Sequence, residues 1–487
     1  MNLNFPLCFG SISSLFRRLF VLICGVPLCL STTRSSAQRV TFAGAQATLP
    51  FVALSGPYGA AVDGAGDVFI VESGNNTVVE LPRTATGYGT QKTLPFSGLD
   101  APTFIALDAG GDVFLADTGN NRVVELPQTS SGYGPQTTLP TNGLIRPYGI
   151  AVDSAGDVFI ADAGNDRAVE LPKAGTGYGT QATLASGLSH PWGVSLDSAG
   201  DLFVAQALEG YEEPPGSVFE LPRTGTGYGP PTTLPFSGLS IPIGVAVDNA
   251  GDVFVTDYGN QRVEELPKAS TNYGSQIIVP TVGLSQPHGV AVDSSGNIIV
   301  ADSFTGLVLE VHRPTPVNFG SAYVCMHGQT DPAPCSHALT LIYNVTASGT
   351  LGTPEVLTSG TPDLDFTRAG GGTCIGAVTE GSSCMVNVSF APEAVGTRNG
   401  MVEIIESSGT VLAATPIYGA GIEPPPVAQV STTYLDFGTI PAGDSEVLSL
   451  SIKNIGGGTL TIAPVITGHS MPPPSAYPYV ISTVNLF

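Results

Sequence analysis

The stretch P-Y-G-I-A-V-D-S-A-G-D-V-F-I-A-D-A-G-N-D-R-A-V-E-L-P, residues 147–172, decides the fold. It holds three short runs rich in β-branched and apolar residues, Gly149–Val152, Asp157–Ala161 and Ala168–Leu171, separated by Asp- and Gly-rich turn signals. A fourth run, such as Thr137–Leu139, follows a Gly-Tyr-Gly turn. Four short strands in about 45 residues are typical of one blade of a β-propeller.

Related units recur through the first two-thirds of the chain. They begin at Pro57, Pro102, Pro147, Pro191, Pro242 and Pro287. A fourth-strand pattern, Q-x-T-L-P or a close variant, has its first copy at Gln46–Phe51, before the first unit, whereas the last unit, Pro287–Arg313, has only three strands. We therefore predict an all-β fold in which residues 38–313 form a six-bladed propeller. The N-terminal strand is expected to complete the last blade and so remove exposed sheet edges.

The repeat resembles the NHL repeat. The string D-T-G-N-N-R-V-V-E-L at Asp117–Leu126, and its counterpart at Asp257–Leu266, are similar to the core motif of that family. The propeller most resembles the extracellular sensor domain of mycobacterial serine/threonine kinases, although no kinase segment accompanies it. The first unit departs from the motif, with Glu72 and Thr77 where the family has Asp and Arg.

After residue 313 the repeat stops, and residues 314–422 are predicted to form a β-sandwich. The residues Asn318-Phe319-Gly320, Cys384 to Pro392 and Gly396-Thr397-Arg398 resemble bacterial immunoglobulin-like repeats of the ASPM–SPD-2–Hydin, or choice-of-anchor, type. Residues 423–487 resemble the first half of a second copy, beginning with Leu435-Asp436-Phe437-Gly438. Half a sandwich leaves open strand edges, so we expect either a truncated gene product or a strand supplied by a partner.

The N-terminus predicts export. Arg17 and Arg18 precede an apolar run, Leu19–Leu30, and small residues place a cleavage site between Ala37 and Gln38. Residues 1–37 are thus predicted to be a signal peptide of an extracellular or cell-envelope protein, and the apolar run is too short to span a bilayer. An uncleaved anchor is the alternative. The mature chain is predicted to have no membrane span.

Net charge and cysteine content indicate which partners and which cellular compartment to expect. A net charge of −23 repels phosphate backbones, so nucleic acid is not an expected partner. Four cysteines follow the leader, and their even number within a short stretch favours disulfides, with a zinc site as the weaker alternative. Their spacing favours Cys325–Cys335 and Cys374–Cys384, but other pairings are possible.

The residue after each unit's proline is expected to line one mouth of the propeller channel. These positions hold Tyr58, Thr103, Tyr148, Trp192, Ile243 and His288. Such amphipathic side chains suit stacking on a peptide, a glycan or an aromatic ligand, or they plug the channel by packing on one another. An enlarged turn in the fourth unit is predicted to add Glu209, Tyr211, Glu212 and Glu213 to the same face, or to be a tolerated insertion.

Other recurring side chains are predicted to be structural. Six aspartates before x-x-G turns, Asp153 among them, should cap the backbone N–H groups of their own turns. Asp117, Asp162, Asp257 and Asp302 end the second strands and should fix turns together with nearby arginines. A tyrosine repeats on the opposite face and is expected to pack. It occurs at Tyr88, Tyr133, Tyr178, Tyr228 and Tyr273.

The sequence thus favours an exported recognition or scaffold protein that binds a peptide, glycan or protein partner of unknown identity. The immunoglobulin-like units are interpreted as spacer or surface attachment. The alternative is a propeller lyase or hydrolase that uses a metal in the central channel near His288. It is less favoured because only one ring position is a histidine, and a catalytic zinc usually has three protein ligands. No cofactor and no catalytic residue is predicted.

Overall fold

The computed structural model describes residues 39–207, 216–269, 272–313, 316–324, 335–359, 361–362, 364–426, 428–430, 451–454 and 460. The predicted signal peptide and most of residues 423–487 lie outside this range. The described chain is built of β-strands, with single-turn 3-10 helices at Thr118–Asn120, Ala163–Asn165 and Tyr258–Asn260. Within those residues, no helix has the length and apolar character needed to cross a membrane.

Each of the first five repeats folds into a four-stranded antiparallel sheet. The inner strands are Pro57–Val62, Pro102–Leu107, Pro147–Val152, Pro191–Leu196, Pro242–Val247 and Pro287–Val292. The second strands are Val68–Glu72, Val113–Asp117, Val158–Asp162, Leu202–Gln206, Val253–Asp257 and Ile298–Asp302. The third strands are Thr77–Leu81, Arg122–Leu126, Arg167–Leu171, Ser217–Leu221, Arg262–Leu266 and Leu307–His312. The outer strands are Lys92–Thr93, Thr137–Thr138, Ala182–Ser186, Thr232–Thr233 and Ile277–Val279.

A two-stranded ribbon separates the third and outer strands in these five repeats. The ribbons pair Arg83–Thr84 with Gly87–Tyr88, Gln128–Thr129 with Gly132–Tyr133, Lys173–Ala174 with Gly177–Tyr178, Arg223–Thr224 with Gly227–Tyr228, and Lys268–Ala269 with Asn272–Tyr273. The ribbons place the repeated tyrosines at the junctions between neighbouring sheets.

The turn between inner and second strands is fixed by its own aspartate. In the third repeat, Asp153 Oδ1 accepts the backbone N–H groups of Ala155 and Asp157, both at 2.9 Å, and Gly156 has a φ of +86°. A side-chain acceptor satisfies donors that a tight turn leaves free, and glycine adopts positive φ without strain. The equivalent aspartates of the other repeats make the same bonds, which confirms the predicted capping role.

A second aspartate organises the turn after the second strand. Asp162 is fully buried and accepts the Ile145 N–H at 2.8 Å, Asn165 Nδ2 at 2.8 Å and Arg167 Nε at 2.7 Å. Buried carboxylates are tolerated when they are paired and hydrogen-bonded in this way. Asp117 makes all three contacts. Asp257 makes the backbone and asparagine contacts, and Arg262 Nε lies 3.6 Å from its carboxylate. The predicted turn-fixing role is thereby confirmed.

The repeat sheets pack on one another in a closed series. Successive sheets share apolar clusters, and one such cluster joins Ile70 of the first repeat to Ile299 and Ala301 of the sixth. The first inner strand, Pro57–Val62, likewise contacts the last, Pro287–Val292. The repeats therefore form a ring around a central axis, as a propeller requires.

The N-terminal strand, Val40–Thr48, closes the sixth sheet. Ala45 to Thr48 pair antiparallel with His312 to Leu309, which confirms the predicted pairing, although the strand lies earlier than the predicted Gln46–Phe51. The Gln46 amide also bonds to both backbone groups of Val282, at 2.9 and 3.0 Å. Gln136 makes the same reciprocal pair with Ser97, so the closing strand reproduces the link between ordinary neighbours.

The same strand has a second partner that was not predicted. Through its other edge, residues 40–46 pair with His337–Val345 of the C-terminal unit. The sixth propeller sheet therefore continues into that unit as one seven-stranded sheet. The N-terminal strand belongs to both folded units at once.

Two sheets enclose the core of the C-terminal unit. The first continues from the N-terminal strand through His337–Val345, Ser383–Phe390 and Phe366–Arg368, and the second comprises Val317–Tyr323, Val411–Ile422, Gly396–Ile405, Glu355–Thr358 and Thr361–Pro362. Val40 and Ala45 share one buried cluster with Phe319, Tyr343 and Phe366. Two further pairs join Gly349–Leu351 to Gly376–Val378, and Ala428–Val430 to Ile452–Asn454.

A disulfide joins Cys374 to Cys384, as predicted. Cys335 is also disulfide-bonded, whereas Cys325 lies outside the described residues. A sulfur in a disulfide is not a thiolate, and zinc binds the thiolate. Cys374 and Cys384 therefore do not form the alternative zinc site in this state.

Candidate functional site: the propeller mouth

The mouth is the face at which the inner strands begin. In five repeats the mouth residue is followed by glycine, because adjacent inner strands approach too closely for a side chain there. A Cβ on Gly149 would overlap the carbonyl oxygen of Trp192 and lie 2.7 Å from the backbone N of Val194. The close approach brings the mouth residues of neighbouring repeats side by side.

The predicted aromatic residues meet in two pairs. The rings of Tyr58 and His288 lie 4.1 Å apart between centroids, and those of Tyr148 and Trp192 lie 4.3 Å apart, both in tilted geometry. Tyr258 adds an edge contact to His288 at 5.1 Å. Contacts between aromatic rings contribute beyond their buried area. The structure therefore brings together four of the predicted mouth residues.

The two remaining mouth residues, Thr103 and Ile243, are buried and contact neighbouring repeats. Thr103 Oγ1 donates to the carbonyl oxygen of Tyr148 at 3.0 Å, and Ile243 is buried. Sequence reasoning missed Phe104, which stands where the other repeats have glycine. Its ring meets Tyr58 edge-on at 5.7 Å. The signal was present in the sequence, because the second repeat alone has no glycine after its mouth residue.

These side chains close the mouth into a floor. One buried cluster includes Phe104, Ile150 and Ile243, with Tyr58 and Trp192 packed against it. The cluster joins side chains from five repeats and so lies at the axis. We call Tyr58, Phe104, Tyr148, Trp192 and His288 the aromatic floor. Phe104, Tyr148 and His288 are buried, so only Tyr58 and Trp192 offer partly exposed rings for stacking.

The floor also holds polar groups whose protonation is shifted by burial. Burial lowers the pKa of His288 to about 4, against the opposing effects of the Gln286 carbonyl oxygen, 3.0 Å from Nδ1, and Asp302. Burial raises the pKa of Tyr58 well above its ordinary value, and Tyr148 and Tyr258 add to the effect. The buried Trp192 Nε1 has no hydrogen-bond partner among the described residues. The floor is therefore uncharged near neutral pH at His288 and Tyr58.

Exposed apolar side chains stand around the floor. Ile145 lies two residues before Pro147 and is 48% exposed, and Ile241 lies immediately before Pro242 and is 40% exposed. Phe304, in the turn after a second strand, is 72% exposed. The starts of inner strands and the ends of second strands lie on one face because these strands are antiparallel. We call Ile145, Ile241 and Phe304 the apolar rim. Large exposed apolar groups beside an aromatic floor are typical of interaction surfaces.

Some predicted features cannot be placed on this face. Glu209, Tyr211, Glu212 and Glu213 lie outside the described residues. Among the residues that the structure does describe, no group of three or more His, Cys, Asp or Glu is arranged to hold a metal ion. His288 is held between two tyrosines and a backbone carbonyl oxygen.

The buried, neutral His288 predicts a stability loss in acid. Its pKa is about 4 in the folded chain, against about 6.5 when unfolded, so between these values only the unfolded state takes up the proton. The His288 contribution is fully present above pH 6.5 and falls as the pH drops toward 4, by about 3 kcal/mol in total. We expect the difference in unfolding free energy between wild type and His288→Gln to change by that amount from pH 7 to pH 4. The measurement is urea unfolding followed by circular dichroism, and a difference that stays constant across this range would contradict the prediction.

Comparison with known families agrees with the repeat. Residues 99–126, 239–265 and 284–308 match the family described as NHL repeat. The chain contains NHL repeats. Together with the ring of repeated four-stranded sheets, this makes its first part an NHL β-propeller. No curated protein matches the chain at a significant level.

Solved structures similar to the NHL propeller include several enzymes. A streptogramin B lyase is 17% identical, covering 56% of this chain and 99% of its own, with a TM-score of 0.43. A virginiamycin B lyase from Staphylococcus aureus is 17% identical, with coverages of 56% and 99% and a TM-score of 0.41. A gluconolactonase from Xanthomonas campestris is 14% identical, with coverages of 54% and 87% and a TM-score of 0.42. These similarities are too low to transfer an activity to this chain.

Proposed function

We propose that this chain is an exported recognition protein whose propeller has six blades and binds a peptide, glycan or protein partner at the mouth. The six inner strands, the first of which contacts the last, support this blade count. The C-terminal unit is assigned as an immunoglobulin-like spacer or attachment module, because two sheets enclose its core. The Cys374–Cys384 disulfide supports folding outside the cytosol.

The aromatic floor with its apolar rim carries this proposal. Trp192 and Tyr58 remain partly exposed, and Phe304 projects from the same face. Interface centres are enriched in aromatic side chains, and the floor and rim place several aromatic and apolar side chains on one face.

The alternative is a lyase or hydrolase that uses a channel metal near His288. His288 Nδ1 lies 3.0 Å from the Gln286 carbonyl oxygen, and its ring packs between Tyr58 and Tyr258. The Nδ1 contact is one that metal-ligating histidines also make. The packing between two tyrosines favours a structural role, and the described residues hold no group of three or more His, Cys, Asp or Glu that could bind a metal. Recognition is therefore the favoured function.

Binding to the secreted chain tests the proposal. Trp192 is the only tryptophan, so its emission reports on the mouth alone. We expect a member of a peptide and glycan panel to shift that emission, and the double variant Ile241→Ser/Phe304→Ser to weaken its binding about tenfold or more by calorimetry. The matched control is Ile278→Ser, on an outer strand and 54% exposed, which should bind as wild type.

Two outcomes would decide against recognition at the mouth. Equal binding by the double variant and the wild type would show that the ligand binds away from the apolar rim. Stoichiometric zinc or calcium in the purified protein, lost in His288→Ala, would favour the metal-dependent enzyme.

A further inference from the structure

On the face opposite the mouth, a repeated three-residue contact links neighbouring blades. In the fourth repeat, the Arg223 guanidinium lies 4.9 Å from the centroid of the Tyr228 ring and 3.5 Å from Glu170 of the preceding repeat. The ribbon supplies the cation and the tyrosine, and the third strand of the preceding blade supplies the carboxylate. The equivalent sets are Arg83, Tyr88 and Glu310; Lys173, Tyr178 and Glu125; and Lys268, Tyr273 and Glu220.

The second repeat has the tyrosine and the carboxylate but no cation in this place. Gln128 occupies the position of Arg223, and Tyr133 is the equivalent tyrosine. The Gln128 stem passes over Gly111, with its Cγ 3.4 Å from the site of a Cβ there, just as Lys173 passes over Gly156 at 3.4 Å. The Gln128 side chain thus takes the same path as that of Lys173, but it is shorter than lysine or arginine and uncharged. In the described part of the chain, no cation lies over the Tyr133 ring.

A cavity of about 400 Å³ lies at this junction. Tyr133, Glu80, Asp63 and Asp67 line it, with Lys92 at the side. Its floor includes the buried Phe69 and Leu94. This size falls within the range of small-ligand sites, and an aromatic wall beside carboxylates is the lining that an organic cation prefers.

The potential in the cavity is negative. Burial, followed by the charges of Glu80, Asp63 and Asp67, raises the pKa of Tyr133 to about 12. Lys92 Nζ pairs with Glu80 Oε1 at 2.8 Å, but the lysine side chain is 60% exposed. Lys92, which belongs to the outer strand, therefore neutralises only the Glu80 carboxylate. Within the part of the chain that the structure describes, Asp63 and Asp67 form no ion pair with a lysine or arginine.

We propose that this junction binds one ammonium or guanidinium group from a ligand, that of a lysine or arginine side chain or of a free alkylamine. The incoming cation occupies the place that Arg223 takes beside Tyr228, over the Tyr133 ring and near the carboxylates. Within the same chain, equivalent tyrosines and glutamates already hold a cation at four junctions. The site is independent of the mouth and lies on the opposite face.

Binding of Nα-acetyl-lysine methylamide to the full mature chain tests the site, by calorimetry at low ionic strength. We expect one bound molecule per chain, no comparable binding of the Nε-acetylated form, and binding at least about tenfold weaker in Gln128→Lys, which supplies the internal cation. Tyr133→Leu should weaken binding similarly, whereas Lys92→Gln should strengthen it by removing a competing charge. Cadaverine serves as the free-amine probe. Tighter binding of cadaverine than of the lysine probe would indicate a free alkylamine as the source of the cation, and weaker binding would indicate a side chain.

The neighbouring junction provides the matched control. Lys173→Gln removes the cation over Tyr178 and should raise the number of bound lysine probes from one to two. Thermal unfolding checks that each variant is folded, and Gln128→Lys should be at least as stable as wild type because it restores the repeated contact. Equal binding by wild type and Gln128→Lys, or equal binding of the acetylated and unacetylated probes, would overturn the proposal.

Discussion

Deletion of residues 38–48 is expected to abolish cooperative folding of both the propeller and the C-terminal unit. Ala45 to Thr48 form the outer strand of the sixth sheet, and residues 40–46 pair with His337–Val345. Without this strand, the edges of Leu307–His312 and His337–Val345 lose their partner, and Val40 and Ala45 leave the C-terminal core. Unpaired strand edges and a lost core strand destabilise both units together.

Point substitutions give the matched comparison for this deletion. Ala45 is fully buried between His312 and Leu341, so Ala45→Asp places an unpaired carboxylate between the two neighbouring strands. Thr48→Asp, at an exposed position of the same strand, should be nearly neutral. Thermal unfolding and limited proteolysis measure both effects. A deletion variant whose propeller still unfolds at the wild-type temperature would show that the strand is dispensable.

The repeated elements could be predicted from sequence because their causes are local. Asp153 caps a turn made of the four residues that follow it, and every repeat has the same aspartate before its x-x-G turn. Ring closure could also be predicted, because the last unit lacks an outer strand and a spare copy precedes the first. The number of strands in each unit was enough to predict which strand closes the ring, and the pairing of Ala45 with His312 agrees with that prediction.

The second pairing of the N-terminal strand could not be predicted in the same way. Its partner, His337–Val345, lies in a different unit, and no repeat in the sequence relates the two segments. The predicted strand was anchored on the L-P motif and so began at Gln46, whereas the observed strand begins at Val40. Residues 40–44 are in a strand because a remote segment pairs with them, and local pattern carries little of that information.

The aromatic floor was predicted in part. The ring positions follow from the repeat, but which neighbouring rings make contact depends on side-chain geometry, as with Tyr58 of the first repeat and His288 of the sixth. Phe104 and Gln128 are departures from the repeat, at the mouth and on the opposite face, and both were visible in the sequence. Their consequences required the structure. Only the spatial neighbours show that Phe104 packs against Tyr58, and that Gln128 replaces the cation that lies over the equivalent tyrosine at four other junctions.

Gly149→Ala is expected to destabilise the ring and disturb the mouth together. The added Cβ would overlap the Trp192 carbonyl oxygen and lie 2.7 Å from the backbone N of Val194, so the third and fourth inner strands must move apart. Forcing extra volume into a close-packed contact reduces the unfolding free energy by about 1–3 kcal/mol. The same displacement separates Tyr148 from Trp192, whose rings now lie 4.3 Å apart.

Two measurements separate this effect from the general loss of a glycine. Trp192 emission should shift to longer wavelength in Gly149→Ala, because the only tryptophan becomes more exposed to water as the strands part. Gly177→Ala is the control, since no atom lies within 4 Å of its Cβ position and the substitution restricts only the unfolded chain. It should leave the emission unchanged and the stability equal or slightly higher. Matching unfolding curves for the two variants would mean that the inner strands can separate without strain, and the closeness of the mouth residues would then not depend on glycine.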